Sequence, residues 1–174
     1  MIIRESKNSE KEQLSNLHLE TFGQEEGDSV STLTIKLLDD PTAQPYLSLI
    51  AEQNNQIIGH VLFTPVKIEN SKEQNGYILA PLAVSTSLQR SGIGKQLIKT
   101  GLDKLKEQGV EYVLVLGDPA YYSLSGFHTD HLIKPPYDLP YPEAWMAQEL
   151  KPGVLQNIKG TVVCADALNE REYW

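Results

Sequence analysis

The run Gln89-Arg90-Ser91-Gly92-Ile93-Gly94-Lys95 carries the most specific chemistry in this 174-residue chain. It follows an apolar stretch, Tyr77 to Val84, that reads as a strand, and it opens into a helical period with Ile93, Leu97, Ile98, Leu102 and Leu105 on one face. A glycine-bearing turn between a strand and a helix N-terminus is an anion site, because unpaired backbone N–H groups and the positive end of the helix dipole point the same way. Gly92 and Gly94 remove Cβ atoms that would keep a phosphate oxygen at a distance, and Arg90 and Lys95 add charge at the rim. The expected ligand carries phosphate.

Spacing narrows the ligand. A triphosphate-binding P-loop needs glycine at position 89 and a hydroxyl residue at 96, and both positions hold glutamine. A dinucleotide fingerprint needs a third small residue at 97, which is Leu97. A second group of reactive residues follows in Gly117-Asp118-Pro119-Ala120-Tyr121-Tyr122-Ser123-Leu124-Ser125-Gly126-Phe127. A phenol is protonated at neutral pH and can donate to a departing thiolate, the proton transfer that thioester chemistry needs. Tyr122 is therefore the candidate general acid, with core packing as the alternative, and Tyr121 is expected to pack or to line an acceptor.

The motif Gln-Arg-x-Gly-x-Gly resembles the pyrophosphate loop of the GNAT superfamily of N-acetyltransferases, and Tyr122 four residues before Gly126-Phe127 matches a second motif of that family in the right order. The wording around the Tyr-Tyr pair looks like a subgroup of predicted acetyltransferases. The resemblance implies acetyl-coenzyme A as co-substrate, bound by Gln89, Arg90, Ser91, Gly92, Ile93, Gly94, Lys95 and Tyr122. It also implies that backbone amides at Leu82, Ala83 and Val84 hold the pantetheine arm where that strand splays from its neighbour. Pro81 fits, since a proline inside a strand lacks a donor and marks a bulge or break. Many members place a glutamate on the fourth strand, which this chain lacks. Asp118 falls near the place where others keep an asparagine, so it is either a base acting through water or a helix cap. Glu25, Glu26 and Asp28 lie where the family lines its acceptor site.

These residues must be positioned by one domain spanning residues 1–174. The reading in order is β-α-α-β-β-β-α-β-α-β. A short strand at Ile2-Ile3-Arg4 precedes a helix capped at Ser9 with Leu14, Leu17 and Phe22 inward. An acidic loop over residues 23–28 then leads to a helix capped at Asp28 or Ser29. A hairpin turns at Gln53–Gln56, and a polar loop covers residues 69–76. Tyr112 to Leu116 is short and apolar, as a strand covered on both faces should be. Strands are expected at residues 144–150 and 160–165, with an irregular Pro-rich segment between Phe127 and the first of them. The fold class is α/β (α+β): a mixed, mostly antiparallel sheet flanked by helices, with strands four and five parallel and splayed, as the resemblance implies.

Composition limits the partners. A formal charge of −8 argues against nucleic acid, and the chain has neither a ~20-residue apolar stretch nor a cationic leader, so a cytoplasmic protein without membrane contact is expected. The single cysteine, Cys164, reads as a buried structural thiol. His60 is expected half-buried and satisfied, and His128, Asp130 and His131 are too few for a metal site, so no metal is expected. The expected function is transfer of an acetyl group from acetyl-coenzyme A to a primary amine, a small molecule rather than a protein, in a ternary complex. A monomer or homodimer is expected. The alternatives are a catalytically silent coenzyme A sensor, as the missing glutamate allows, and a mixed α/β module with no nucleotide site.

Overall fold

The computed structural model describes residues 1–71 and 75–174. Its strands are β1 (Ile2–Glu5), β2 (Leu47–Gln53), β3 (Gln56–Ile68), β4 (Gly76–Val84), β5 (Tyr112–Leu116), β6 (Leu132–Lys134), β7 (Trp145–Glu149) and β8 (Lys159–Val163). The helices are α1 (Lys11–Asp39), α2 (Ile93–Glu107) and α3 (Pro119–Tyr122). The sheet runs β1-β2-β3-β4-β5-β7, and β8 extends it by pairing with the end of β3 and with β6. The β4–β5 pair is parallel; β5 and β7 are antiparallel. Asn54 and Asn55 take positive φ (52° and 62°) in the two-residue turn between β2 and β3, the conformation such hairpins require.

The sheet separates two apolar layers. On one face α2 buries Leu97, Ile98, Leu102 and Leu105 against Leu49, Val61, Phe63, Leu79, Val113 and Val115. On the other, Leu14, Leu33, Leu37 and Leu38 of α1 cover Ile50, Leu62, Ile78 and Leu114. Residues 112–115 are fully buried, so both layers rest on β5. Helix and sheet approach closely at Gly101, where a Cβ would enter the Phe63 ring. Helix propensity favours alanine over glycine by about 1 kcal/mol, and overpacking a filled core costs about 1–3 kcal/mol. The contact should win: Gly101→Ala is expected to destabilise the protein by about 1–2 kcal/mol in urea unfolding, against the propensity prediction.

Several expectations are corrected. The acidic segment is not a loop: helical structure continues from Lys11 to Asp39, interrupted only at Gly23 (φ 75°, ψ −171°). One glycine makes the whole bend, and Glu25, Glu26 and Asp28 are helical, with the two glutamates near the positive end of the new segment. Neither Asp28 nor Ser29 caps it. At the N-terminal end the capping interaction is made from Glu10, which accepts from the Lys7 backbone N–H at 2.7 Å, and Ser9 takes no part. The Pro-rich segment contains β6, stabilised by parallel pairing with β8.

His60 is fully buried, not half-buried. Its Nδ1 lies 2.8 Å from Nε2 of His18 on α1, and its Nε2 lies 2.9 Å from Oγ of Ser48, which is itself 2.6 Å from Ser6 Oγ. Cys164 is buried as expected, just beyond β8, with its thiol pushed up to about 12 by desolvation. Trp145 and Met146 are core residues; the Trp145 indole donates to Ile133 O at 2.9 Å. His131 has both ring nitrogens committed to backbone, accepting from Ile133 N and donating to Trp145 O. No helix among the described residues is long and apolar enough to cross a membrane. The polar loop expected over 69–76 lies partly outside the described residues.

Candidate active site

The site begins where β4 and β5 part. Their parallel register runs from Gly76 opposite Tyr112 to Leu79 opposite Val115 and ends there. On the other edge of β4 the register with β3 steps from Leu79–Phe63 to Leu82–Val61, so Ala80 and Pro81 stand opposite the single residue Leu62. This is the bulge expected at Pro81. Beyond it the ladder alternation decides which amides are free. Ser85 N donates to Ile58 O, so the His60–Ala83 pair exchanges bonds, and the N–H groups of Leu82 and Val84 turn away from β3 toward the fork. Val84 O points the same way and accepts from Gln89 Nε2 (3.2 Å) and Thr21 Oγ1 (3.4 Å). The two amides remain available.

The turn after β4 supplies the second set of donors. Arg90 (φ 63°) and Gly92 (φ 88°) both take left-handed conformations, and Ser91 Oγ donates to Leu88 O to pin the loop. Gly92 stands at the N-cap of α2 and offers no side-chain cap. The first bonded amide is Gln96 N to Gly92 O, which leaves the N–H groups of Ile93, Gly94 and Lys95 without helical partners. The two glycines differ in role. A Cβ at Gly92 would meet nothing within 4 Å, so glycine is there for its φ; a Cβ at Gly94 would meet the Tyr121 hydroxyl.

Both sets of amides open on one cleft of about 670 Å³. It brings together the expected Leu82, Ala83, Val84, Gln89, Arg90, Gly92, Ile93, Gly94, Lys95 and Asp118. Ser91 and Tyr122 are the expected residues that do not line it. Tyr121, expected to pack or to line an acceptor, stands on its wall instead, with Thr21, Phe22, Leu88 and Leu124, which sequence reasoning missed. The available signal for Phe22 was its place just before Gly23, where α1 breaks.

Tyr122 lies behind that wall at the end of β5. Its ring covers Gly117 and packs edge-to-face on Tyr121 (5.0 Å) and Phe127 (5.9 Å). Burial pushes its phenol upward, with a further contribution from Tyr121, so it stays protonated. Asp118 caps α3: one carboxylate oxygen accepts from Ala120 N at 2.9 Å. On the α1 side of the sheet, a second cavity of about 480 Å³ opens against the same fork, over Ile78 and Ala80 of β4 and Leu116 of β5. Glu25, Glu26, Glu172, Tyr173 and Trp174 also line it; Asp28 does not.

The fork between parallel strands, the bulged strand edge and the uncapped helix lie within or beside one matched region: the family model described as Acetyltransferase (GNAT) family matches residues 11–127. The chain belongs to the GNAT acetyltransferases. The uncharacterized N-acetyltransferase YjhQ of Escherichia coli strain K12 is 36% identical over 140 residues, 77% of each chain. Among solved structures, the GNAT family N-acetyltransferase YhbS of Escherichia coli, in complex with CoA, superposes with TM-score 0.88 at 29% identity over 98% of this chain and 92% of that one. A GNAT family acetyltransferase from Brucella melitensis shares the fold at TM-score 0.77 and 24% identity, covering 96% and 97%. The GNAT assignment fits the parallel β4–β5 pair and the position of α2 after it.

Proposed function

We propose that this GNAT enzyme transfers the acetyl group of acetyl-coenzyme A directly to a primary amine of a small cationic acceptor. The observation that carries the reading is the convergence on one fork of the Leu82 and Val84 amides and the unpaired first-turn amides of α2. Those donors fit a ligand with a diphosphate at one end and an amide-bearing arm at the other. The solved complex of the similar YhbS with CoA supports the cofactor. When bound, acetyl-coenzyme A supplies an acetyl thioester, and the protein has to orient it, accept the amine proton and protonate the thiolate.

The Leu82 and Val84 N–H groups orient the arm beside the gap between β4 and β5. Tyr122, at the end of β5, donates its phenolic proton to the departing sulfur. The acceptor enters from the opposite cavity, where Glu25, Glu26 and Glu172 attract a cation and Ile78, Ala80 and Leu116 cover its apolar part. Asp118 keeps one oxygen on the α3 cap and uses the other, through a water, to take the proton lost by the amine.

Incubating the protein with acetyl-coenzyme A and a panel of small diamines, amino sugars and neutral amines tests the reading. Acetylated product and free thiol should appear together, with the cationic acceptors preferred. Cofactor binding without any product across the panel or a cell extract would favour a silent sensor. Asp118→Asn separates the two roles of that residue, because asparagine caps a helix as well as aspartate does. The variant should keep its melting temperature and lose about a hundredfold in kcat. Unchanged turnover would leave Asp118 with the cap alone.

A further inference from the structure

The two adjacent tyrosines of α3 point in different directions. Tyr122 packs on Gly117 behind the cleft wall, whereas the Tyr121 hydroxyl reaches the first turn of α2. We infer that Tyr121 holds the diphosphate end of coenzyme A, and that position 94 is glycine in order to admit the Tyr121 hydroxyl to that turn. The inference rests on the coenzyme A reading above.

The contacts at Gly94 single out one atom. A Cβ there would overlap Tyr121 Oη, yet it would stand 3.5 Å from Tyr121 Cζ and 3.6 Å from Val84 Cγ2, both ordinary packing distances. Gly94 lies inside α2 with no positive φ, so neither its backbone conformation nor its other neighbours require glycine. The hydroxyl alone does. That hydroxyl has no hydrogen-bond partner among the described residues, and the ring carrying it lines the cleft. The ring is fixed from behind by its edge-to-face contact with Tyr122 and from below by the Asp118 cap that starts α3. A fixed, unpaired O–H beside Gly94, on the turn whose Ile93, Gly94 and Lys95 N–H groups are free, offers the anion site a further donor. Sequence reading places Gly94 beside the phosphate for the phosphate's sake; the contacts place it there for Tyr121.

Calorimetric titration of the apo protein with coenzyme A, and separately with its two halves, adenosine 3′-phosphate 5′-diphosphate and pantetheine, tests the assignment. Tyr121→Phe should weaken coenzyme A and the nucleotide half about tenfold each and leave pantetheine binding as in the parent protein. In steady state the loss should appear in KM for acetyl-coenzyme A rather than in kcat. Equal losses on both halves, or no loss on coenzyme A, would overturn the role. Thermal unfolding of the ligand-free protein tests the glycine. Gly94→Ala should lower the melting temperature, and Gly94→Ala/Tyr121→Phe should restore most of it, because the phenyl ring leaves the new Cβ in ordinary contact. A double variant no more stable than Gly94→Ala refutes the steric argument. A parent protein that binds neither coenzyme A nor the nucleotide half overturns both this inference and the cofactor reading; a parent that binds while Tyr121→Phe binds equally overturns this inference alone.

Discussion

Tyr122→Phe is expected to lower kcat for acetyl transfer by about a hundredfold or more, with KM for acetyl-coenzyme A changed little. Phenylalanine keeps the ring that covers Gly117 and meets Tyr121 and Phe127 edge-to-face, so the fold and the cleft should survive the substitution. What is removed is a single proton donor, held protonated by its desolvated position at the end of β5. Steady-state kinetics with a turned-over acceptor, beside a thermal melt of the variant, gives the answer. Full turnover would refute the general-acid role. A loss of kcat in Tyr121→Phe with none in Tyr122→Phe would exchange the roles of the two phenols.

The second large effect is on stability. The buried His18–His60 pair should make the protein lose about 2 kcal/mol of unfolding free energy between pH 6 and pH 5. Desolvation holds His18 down at about 4 and His60 well below the ordinary histidine value, with His18 lowering His60 further. In the unfolded chain both protonate near 6.5. Between about 6.5 and 4 the unfolded state therefore binds more protons than the native one, and stability rises with pH across that window. Above 6.5 the contribution is complete; below it the stabilisation is progressively lost. Each group can contribute up to about 1.4 kcal/mol per pH unit, so the pair exceeds what other histidines supply. His131 is also lowered and adds in the same direction, while Glu10 and Asp40, lowered as carboxylates, act at more acid pH. Urea unfolding at pH 7.5, 6 and 5 measures the slope, and the double variant His18→Gln/His60→Gln should flatten most of it. A parent protein equally stable at pH 6 and pH 5 would show that the pair is charged or solvated in the native state.

Much of the positioning was legible because it is local. The apolar stripe of α2 from Ile93 to Leu105 follows from a 3.6-residue period, and Gly109 ends it with a φ of 84° that glycine adopts freely. Tyr112 to Leu116 is brief and nearly all apolar, as a strand covered on both faces should be. Pro81 cannot donate to a ladder, and the β3–β4 register shifts beside it. Other features had no local signature. Residues 24–28 are polar whether they form a loop or an exposed helical turn, and only the packing of the second half of α1 against the sheet selects the helix. The strand β6 exists because β8 is beside it. His18 and His60 are 42 residues apart, and nothing in either neighbourhood announces that they meet.

The sequence by itself determined the fold class and the GNAT family, and it suggested the place of an anion site, because strand, glycine turn and helix are contiguous and their chemistry is carried by neighbouring residues. The tertiary structure decided which tyrosine faces the cleft, which cavity the acidic residues line and which side-chain atom stands against Gly94. The physical reason is that α3 is a four-residue element with no period of its own. The direction of its side chains is set by Gly94 on α2 and Gly117 at the end of β5, whose missing Cβ atoms leave room for one phenol each.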